Sequence, residues 1–198
     1  MAIVKIAFEG FDGCGKGTAI GELMKLIKAE KYETKKDTKT LRRDWLRTFG
    51  DGPELHNLMV ASYREEWAQV NERAKGLQSG TVLLIDRSWA SYETNRFANL
   101  GGEVNWLNSC KPDVVLSLRV QENLRVPRIL ERDGSVENLN DRERRLMNDP
   151  DFREKLNYAE MKLGCTPLRI RQRSPKVVAM RVLQNLLARP GFTYIPRA

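Results

Sequence analysis

The sequence predicts an α/β fold, a parallel sheet of about five strands with helices on both faces. Three observations carry that reading. Short apolar runs alternate along the chain with segments whose apolar residues recur at helical spacing. The first run, Ile3–Phe8, leads straight into a glycine-rich loop. A later run, Val82-Leu83-Leu84-Ile85, ends on a carboxylate, Asp86. The 198 residues, 41% hydrophobic and 30% charged, suit one domain with a core of its own over 1–198.

Taken in order, Ile3–Phe8 reads as a buried strand. Lys16–Ala29 follows as a helix, with Ile20, Leu23, Met24 and Ile27 on one stripe. Tyr32–Leu41 is a weak, polar strand candidate. Pro53–Lys75 is a helix with Pro53 at its start, Leu55, Leu58, Met59 and Ser62 on one face and Gly76 as its stop. Thr81–Ile85 and Asp113–Val120 are buried strands. Glu122–Arg132 is helical, with Pro127 expected to kink it or to move its start. Asp133–Asp149 is polar and has no apolar period. Phe152–Leu163 is amphipathic, and Pro167–Ile170 is a short strand. Ser174-Pro175 is a cap and first-turn pair for a last helix carrying Val177, Val178, Met180, Val182, Leu183 and Leu186. Pro190–Ala198 is an extended tail.

Composition excludes several classes. No run of 18 apolar residues exists, so no membrane-spanning helix is expected. The N-terminus enters a strand pattern directly, without the look of a secretory signal. Cys14, Cys110 and Cys165 are too few and too scattered for a disulfide framework or a zinc site, which suits a reducing, cytoplasmic setting. The net charge of +8 is unevenly placed. Residues 165–198 hold seven bases and no acid, and residues 34–47 hold six bases and two acids. A polyanionic partner such as DNA is one reading of these stretches, and a solvated basic face is the other.

Gly10-Phe11-Asp12-Gly13-Cys14-Gly15-Lys16 fits G-x-x-x-x-G-K between a strand and a helix, the setting of a phosphate-binding P-loop. The glycines let successive N–H groups turn toward one anion, the helix N-terminus adds partial positive charge, and Lys16 reaches the phosphates as a point charge. Gly10, Gly13, Cys14, Gly15, Lys16, Gly17 and Thr18 are therefore the candidates for holding ATP. The position after the lysine, where a hydroxyl for Mg²⁺ is usual, is Gly17, which leaves Thr18 as the nearest hydroxyl. Asp86 closes its apolar strand as the second nucleotide motif does, so Thr18 and Asp86 are the candidate metal ligands. Arg87 puts a cation beside the same crevice.

Phe8-Glu9-Gly10-Phe11-Asp12-Gly13-Cys14-Gly15-Lys16, Asp86-Arg87 with Ser91, Val60-Ala61-Ser62-Tyr63-Arg64 and Pro112-Asp113 together resemble thymidylate kinases, within the nucleoside monophosphate kinase branch of P-loop kinases. The resemblance implies a mobile lid, here 133–150, that closes over the γ-phosphate. It implies that Lys16 and the loop backbone hold ATP, that Asp12 contacts the acceptor sugar and that Arg87 binds the acceptor phosphate. Arg64 would face the acceptor base, with Glu9 and Ser91 completing the acceptor site. A lid arginine among Arg142, Arg144 and Arg145 would act in catalysis, with Arg142 and Arg145 the named candidates. It implies ATP with Mg²⁺, a nucleotide acceptor and a possible homodimer. Three departures stand out. Val60 occupies the place of the base-stacking aromatic, Leu41-Arg42-Arg43-Asp44 only loosely replaces an R-E-P segment, and Ser88 gives Asp-Arg-Ser, similar to the E-R-S of deoxynucleoside kinases.

The residues permit two reaction types. A phosphate acceptor needs cations and no base, whereas a hydroxyl acceptor needs a carboxylate such as Asp12 or Glu9 to take its proton. The first is transfer to a thymidylate-like deoxynucleoside monophosphate. The second is transfer to a hydroxyl on DNA or on a modified base in DNA, with Trp45, Trp67, Trp89 and Trp106 available for stacking. His56 is expected to be structural. Cys14 is expected to be a tolerated small residue whose thiolate the helix N-terminus eases.

Overall fold

The fold is taken from a computed structural model that describes residues 3–135, 139, 141–171 and 174–197. Residues 136–138 and 140 of the lid segment, and Arg173 and Ala198 of the basic C-terminal stretch, lie outside the described residues. In chain order the elements are β1 (Val4–Glu9), α1 (Lys16–Leu26), β2 (Ala29–Tyr32), α2 (Lys36–Phe49), α3 (Pro53–Lys75), β3 (Val82–Asp86), α4 (Trp89–Leu100), β4 (Val114–Val120), α5 (Glu122–Asp133), α6 (Asp141–Asn148), α7 (Pro150–Lys162), β5 (Thr166–Ile170) and α8 (Pro175–Leu187). The five strands are all parallel, in the order β2-β3-β1-β4-β5. The α/β class and the five-stranded parallel sheet are as the alternation of patterns predicts.

β1 is central and β3 flanks it, with Phe8 beside Asp86. Because neighbouring strands run the same way, the glycine-rich loop and Asp86-Arg87 emerge at one sheet edge. Apolar side chains on both faces of β1, β3 and β4 feed two core layers. One joins Ile6, Phe8 and Leu84 to Ile20 and Leu23 of α1 and Val182 and Leu186 of α8. The other joins Ala7, Leu83 and Ile85 to Trp67 and Val70 of α3 and Trp89 of α4.

Several expectations are corrected. The second strand is Ala29–Tyr32, not Tyr32–Leu41, and the helix before it stops at Leu26. An edge strand pairs on one side only, so its polar Ala-Glu-Lys-Tyr sequence gives little apolar signal. Residues 36–49 form α2, a helix without one buried residue and hence without a stripe to read. α4 is capped by Ser88, whose hydroxyl accepts from Ala90 N at 3.3 Å. Within the expected lid, residues 141–148 are helical and Leu146 is fully buried against Ala98, Phe152 and Leu156. Pro127 does not move the start of α5, which begins at Glu122, and lies inside the helix. Ser174 precedes α8 but its side chain makes no capping hydrogen bond. The tail first turns at Pro190-Gly191, where Phe192 N donates to Arg189 O, and then runs beside residues 26–28, with Lys28 N donating to Ile195 O at 2.7 Å and Arg197 N to Leu26 O at 3.1 Å.

Candidate active site

The loop between β1 and α1 is shaped by its glycines. Gly10, Gly13 and Gly15 have φ of 121°, 78° and 83°. A Cβ at Gly10 would lie 2.4 Å from Leu118 O, and one at Gly13 would lie 2.7 Å from Ile129 Cγ1. The loop is thus pinned between β4 and α5 as well as turned. Arg125, with no exposed surface, donates to Asp12 O at 3.3 Å, and Arg128 donates to Gly13 O at 3.4 Å. Nothing in the motif announces these two arginines. Their i, i+3 spacing after a strand is the signal that could have found them.

Lys16 is buried at the start of α1. Its ammonium donates to Gly10 O at 2.9 Å and Phe11 O at 3.1 Å, and stands 4.0 Å from Asp12 Oδ1. Burial lowers its affinity for a proton, and the Arg87 charge lowers it further. Arg87 takes up a left-handed φ of 75°, unusual outside glycine and typical of strain kept at working sites. Its guanidinium bonds Asp12 and reaches Ser91 Oγ at 3.4 Å. Burial would raise the Asp12 carboxyl, but Arg87, then Lys16, Arg142 and Arg132 outweigh it and hold the group below its ordinary value.

Glu9, at the end of β1, is 2% exposed. Its carboxylate accepts from Ser88 N at 2.6 Å, from Ser88 Oγ at 2.7 Å and from the Ser91 hydroxyl. Burial raises its carboxyl despite these donors and the nearby Arg87. Arg142, on α6, reaches the same centre. Its pKa is lowered, by burial first and by Arg87 second, while Asp12 and Glu9 oppose the shift. Its Nε is buried without a hydrogen bond.

The structure therefore brings Glu9, Asp12, Lys16, Arg87, Ser91 and Arg142 together at the loop. It does not bring in Arg145 or Arg64. Arg145 points the other way, donating to Asn99 Oδ1 at 2.6 Å with its guanidinium 3.9 Å above the Phe152 ring, and so fastens α6 to α4 and α7. Arg144 Nε donates to Leu139 O at 3.0 Å. Arg64 is exposed, with Cys110 as a neighbour. The face of α3 nearest the crevice instead carries Tyr63 and Glu66, which meet Arg42 of α2.

Thr18 is exposed in the first turn of α1, and Asp86 is partly exposed at the end of β3 with Lys31 Nζ 3.9 Å from its Oδ2. Among the described residues no group of three or more His, Cys, Asp or Glu is placed to hold a metal. A hydroxyl and one carboxylate are nonetheless the hard oxygen donors with which Mg²⁺ is held beside phosphates. Thr18 also lines a cavity of about 190 Å³ with Cys14, Gly15, Arg128, Pro175 and Val178. It opens next to the loop on the β5 side, with Ile170 of β5 in its wall. Cys14 is buried, and burial pushes its thiol up rather than easing the thiolate. His56 sits in a cluster with Tyr63, Trp89 and Tyr92, its Nδ1 3.3 Å from Tyr92 Oη.

Residues 34–47 follow β2 at one edge of the sheet, whereas residues 165–197 run from β5 at the other edge through α8 to a tail that lies beside Leu26 and Lys28, just before β2. Much of the second stretch satisfies the chain itself. Arg181 donates to Arg169 O, Arg189 to Thr166 Oγ1 and Arg197 to Met24 O. No described helix is long and apolar enough to cross a membrane.

No protein-family model matches the chain. It is 28% identical over 155 residues to the "Probable thymidylate kinase" of Thermoplasma volcanium, covering 70% of this chain and 78% of that protein. Among solved structures, thymidylate kinase from Candida albicans superposes with a TM-score of 0.66 at 16% identity, covering 94% of this chain and 92% of that one. Thymidylate kinase from Ehrlichia chaffeensis gives a TM-score of 0.57 at 15% identity, covering 94% and 100%. Deoxyadenosine kinase from M. mycoides with bound dATP gives 0.52 at 18%, covering 93% and 100%. The chain is thus similar in sequence to a probable thymidylate kinase and shares the fold of thymidylate and deoxynucleoside kinases.

Proposed function

We propose that the protein transfers the γ-phosphoryl group of ATP to the phosphate of a thymidylate-like deoxynucleoside monophosphate, giving the diphosphate. One observation carries the choice of a phosphate over a hydroxyl acceptor: both carboxylates that could serve as a base are already engaged. Asp12 is bonded to Arg87 and held in its ionised form by the cations around it, which makes it a poor proton acceptor. Glu9 is buried and accepts from an amide and two hydroxyls. A phosphate oxygen is already anionic and needs no base.

In this reading the loop N–H groups and Lys16 hold the donor phosphates, and the β5-side cavity beside Arg128 takes the donor base. Arg87 binds the acceptor phosphate, oriented by Asp12 and Ser91. Arg142 supplies a second cation where charge spreads in the transition state. Thr18 and Asp86 would hold Mg²⁺, which when bound neutralises phosphate charge. Residues 133–150 act as the lid that carries Arg142 to the site. The likeness to thymidylate and deoxynucleoside kinases supports a nucleotide acceptor.

The test is transfer of label from [γ-³²P]ATP with Mg²⁺ to a panel of nucleoside monophosphates, nucleosides, and single- and double-stranded DNA. Transfer to monophosphates, abolished by Lys16→Ala, is expected. Transfer only to nucleosides or to DNA would overturn the phosphate-acceptor reading.

A further inference from the structure

A phosphate loop works through its backbone N–H groups and its lysine, and asks nothing of the side chain at its second position. That position holds Phe11, a large aromatic. Its main chain belongs to the loop, since Phe11 O accepts from Lys16 Nζ at 3.1 Å. Its ring joins neither of the two core layers that cover the sheet. It packs against a third cluster, made by Ala98 of α4, Leu146 of α6, and Phe152 and Leu156 of α7. From α5, the guanidinium carbon of Arg125 lies 5.9 Å from the centre of the same ring. α6 is charged along most of its length, and Leu146 is fully buried. Arg142 stands four residues before Leu146, one turn away on the same face of the helix. Where Leu146 sits therefore decides where Arg142 points. Burial and the like charge of Arg87 work against Arg142 at the centre. An apolar seat under Leu146 opposes them.

We propose that Phe11 is a positioning residue: its ring is the phosphate loop's wall of the socket that seats Leu146, and through that seat it holds Arg142 at the loop. The proposal rests on the transfer and on the role of Arg142 given above. The ring is carried by the loop itself, so a loop set around phosphates sets α6 at the same time. The contact is apolar and lies away from the N–H groups that meet the phosphates. Removing the ring therefore leaves the glycines and Lys16 as they are and takes away only the wall. Arg145 ties α6 to Asn99 and Phe152. That tie keeps the helix attached when the wall is gone, but does not aim Arg142.

Phe11→Ala removes the wall, and Phe11→Leu keeps most of its apolar volume. Amide hydrogen exchange over residues 141–148 reads the seat without turnover, with exchange in α1 and α7 and the thermal midpoint as checks of folding. Phe11→Ala is expected to speed exchange in 141–148 alone, and Phe11→Leu to restore it. At saturating ATP and acceptor, Phe11→Ala should lower kcat about 10- to 100-fold while ATP binding by titration stays within about threefold, and Phe11→Leu should recover most of the loss. In the Arg142→Met background the same change should cost less than about twofold, because a residue that acts through Arg142 has nothing left to place. Unchanged exchange in folded Phe11→Ala would overturn the seat. A kcat that stays at the wild-type value, or an equal loss with Arg142 already replaced, would overturn the positioning role. Faster exchange in Phe11→Ala beside a wild type that phosphorylates no nucleotide would overturn the transfer and keep the seat.

Discussion

Replacing Arg142 by methionine should separate catalysis from stability. In the fold, burial and Arg87 both disfavour the Arg142 charge, while Asp12, Glu9 and Glu160 favour it, and the balance is a lowered pKa. A base whose folded pKa is lowered is held at a cost at every pH at which it is protonated, and an arginine is protonated at pH 7. Its Nε is buried without a partner, so truncation at that atom forfeits no hydrogen bond. Methionine keeps much of the side-chain length. Stability should therefore stay level or rise by up to about 1 kcal/mol, a midpoint shift of roughly 2–4 °C for a chain of this size. The chemistry should move the other way. An arginine that meets the transferring phosphoryl group is worth about a thousandfold or more in kcat, which is at least about 4 kcal/mol of barrier. Scanning calorimetry and kcat at saturating ATP and acceptor give the two numbers. A variant that melts more than about 4 °C lower while keeping kcat within tenfold would show that Arg142 is structural and would refute the reasoning.

Other outcomes follow from the same coordinates. Gly10→Ala places a Cβ 2.4 Å from Leu118 O at a φ of 121°, so the loop must move; ATP binding measured by titration should be lost even in protein that still folds by circular dichroism. Glu33 is pulled down to about 2 by hydrogen bonds from Lys31 and Lys39. Its contribution is present in full above its ordinary value of 4.5 and fades as pH falls toward 2, so Glu33→Gln should flatten that part of the acid-stability curve. The change should stay below about 1 kcal/mol because the carboxylate is half exposed and screened.

Much of the site was legible because it is local. The G-x-x-x-x-G-K spacing, the strand before it and the apolar run ending in Asp86-Arg87 each lie within a few residues, and the geometry they require is the geometry found. The contacts around the loop join residues far apart in the chain. Arg42 meets Tyr63 because α2 folds back on α3, and no period in residues 34–47 reveals a helix that buries nothing. Arg125 and Arg128 look like an ordinary charged helix face until α5 is laid across the loop. Residues 141–148 show the same division. Their arginines are plain in the sequence, but three residues apart they point in different directions: Arg142 to the centre and Arg145 to Asn99.

The α/β class, the phosphate loop and the strand-end aspartate are legible in the chain before it folds, since glycine spacing and apolar period act over one turn or one strand. Which arginines approach the phosphate loop, that Asp12 and Glu9 are both hydrogen-bonded, and that residues 34–47 lie at the sheet edge opposite β5 emerge only once the chain is folded. Ion pairs and hydrogen bonds depend on a few ångströms between distant segments, and the strand order sets that distance.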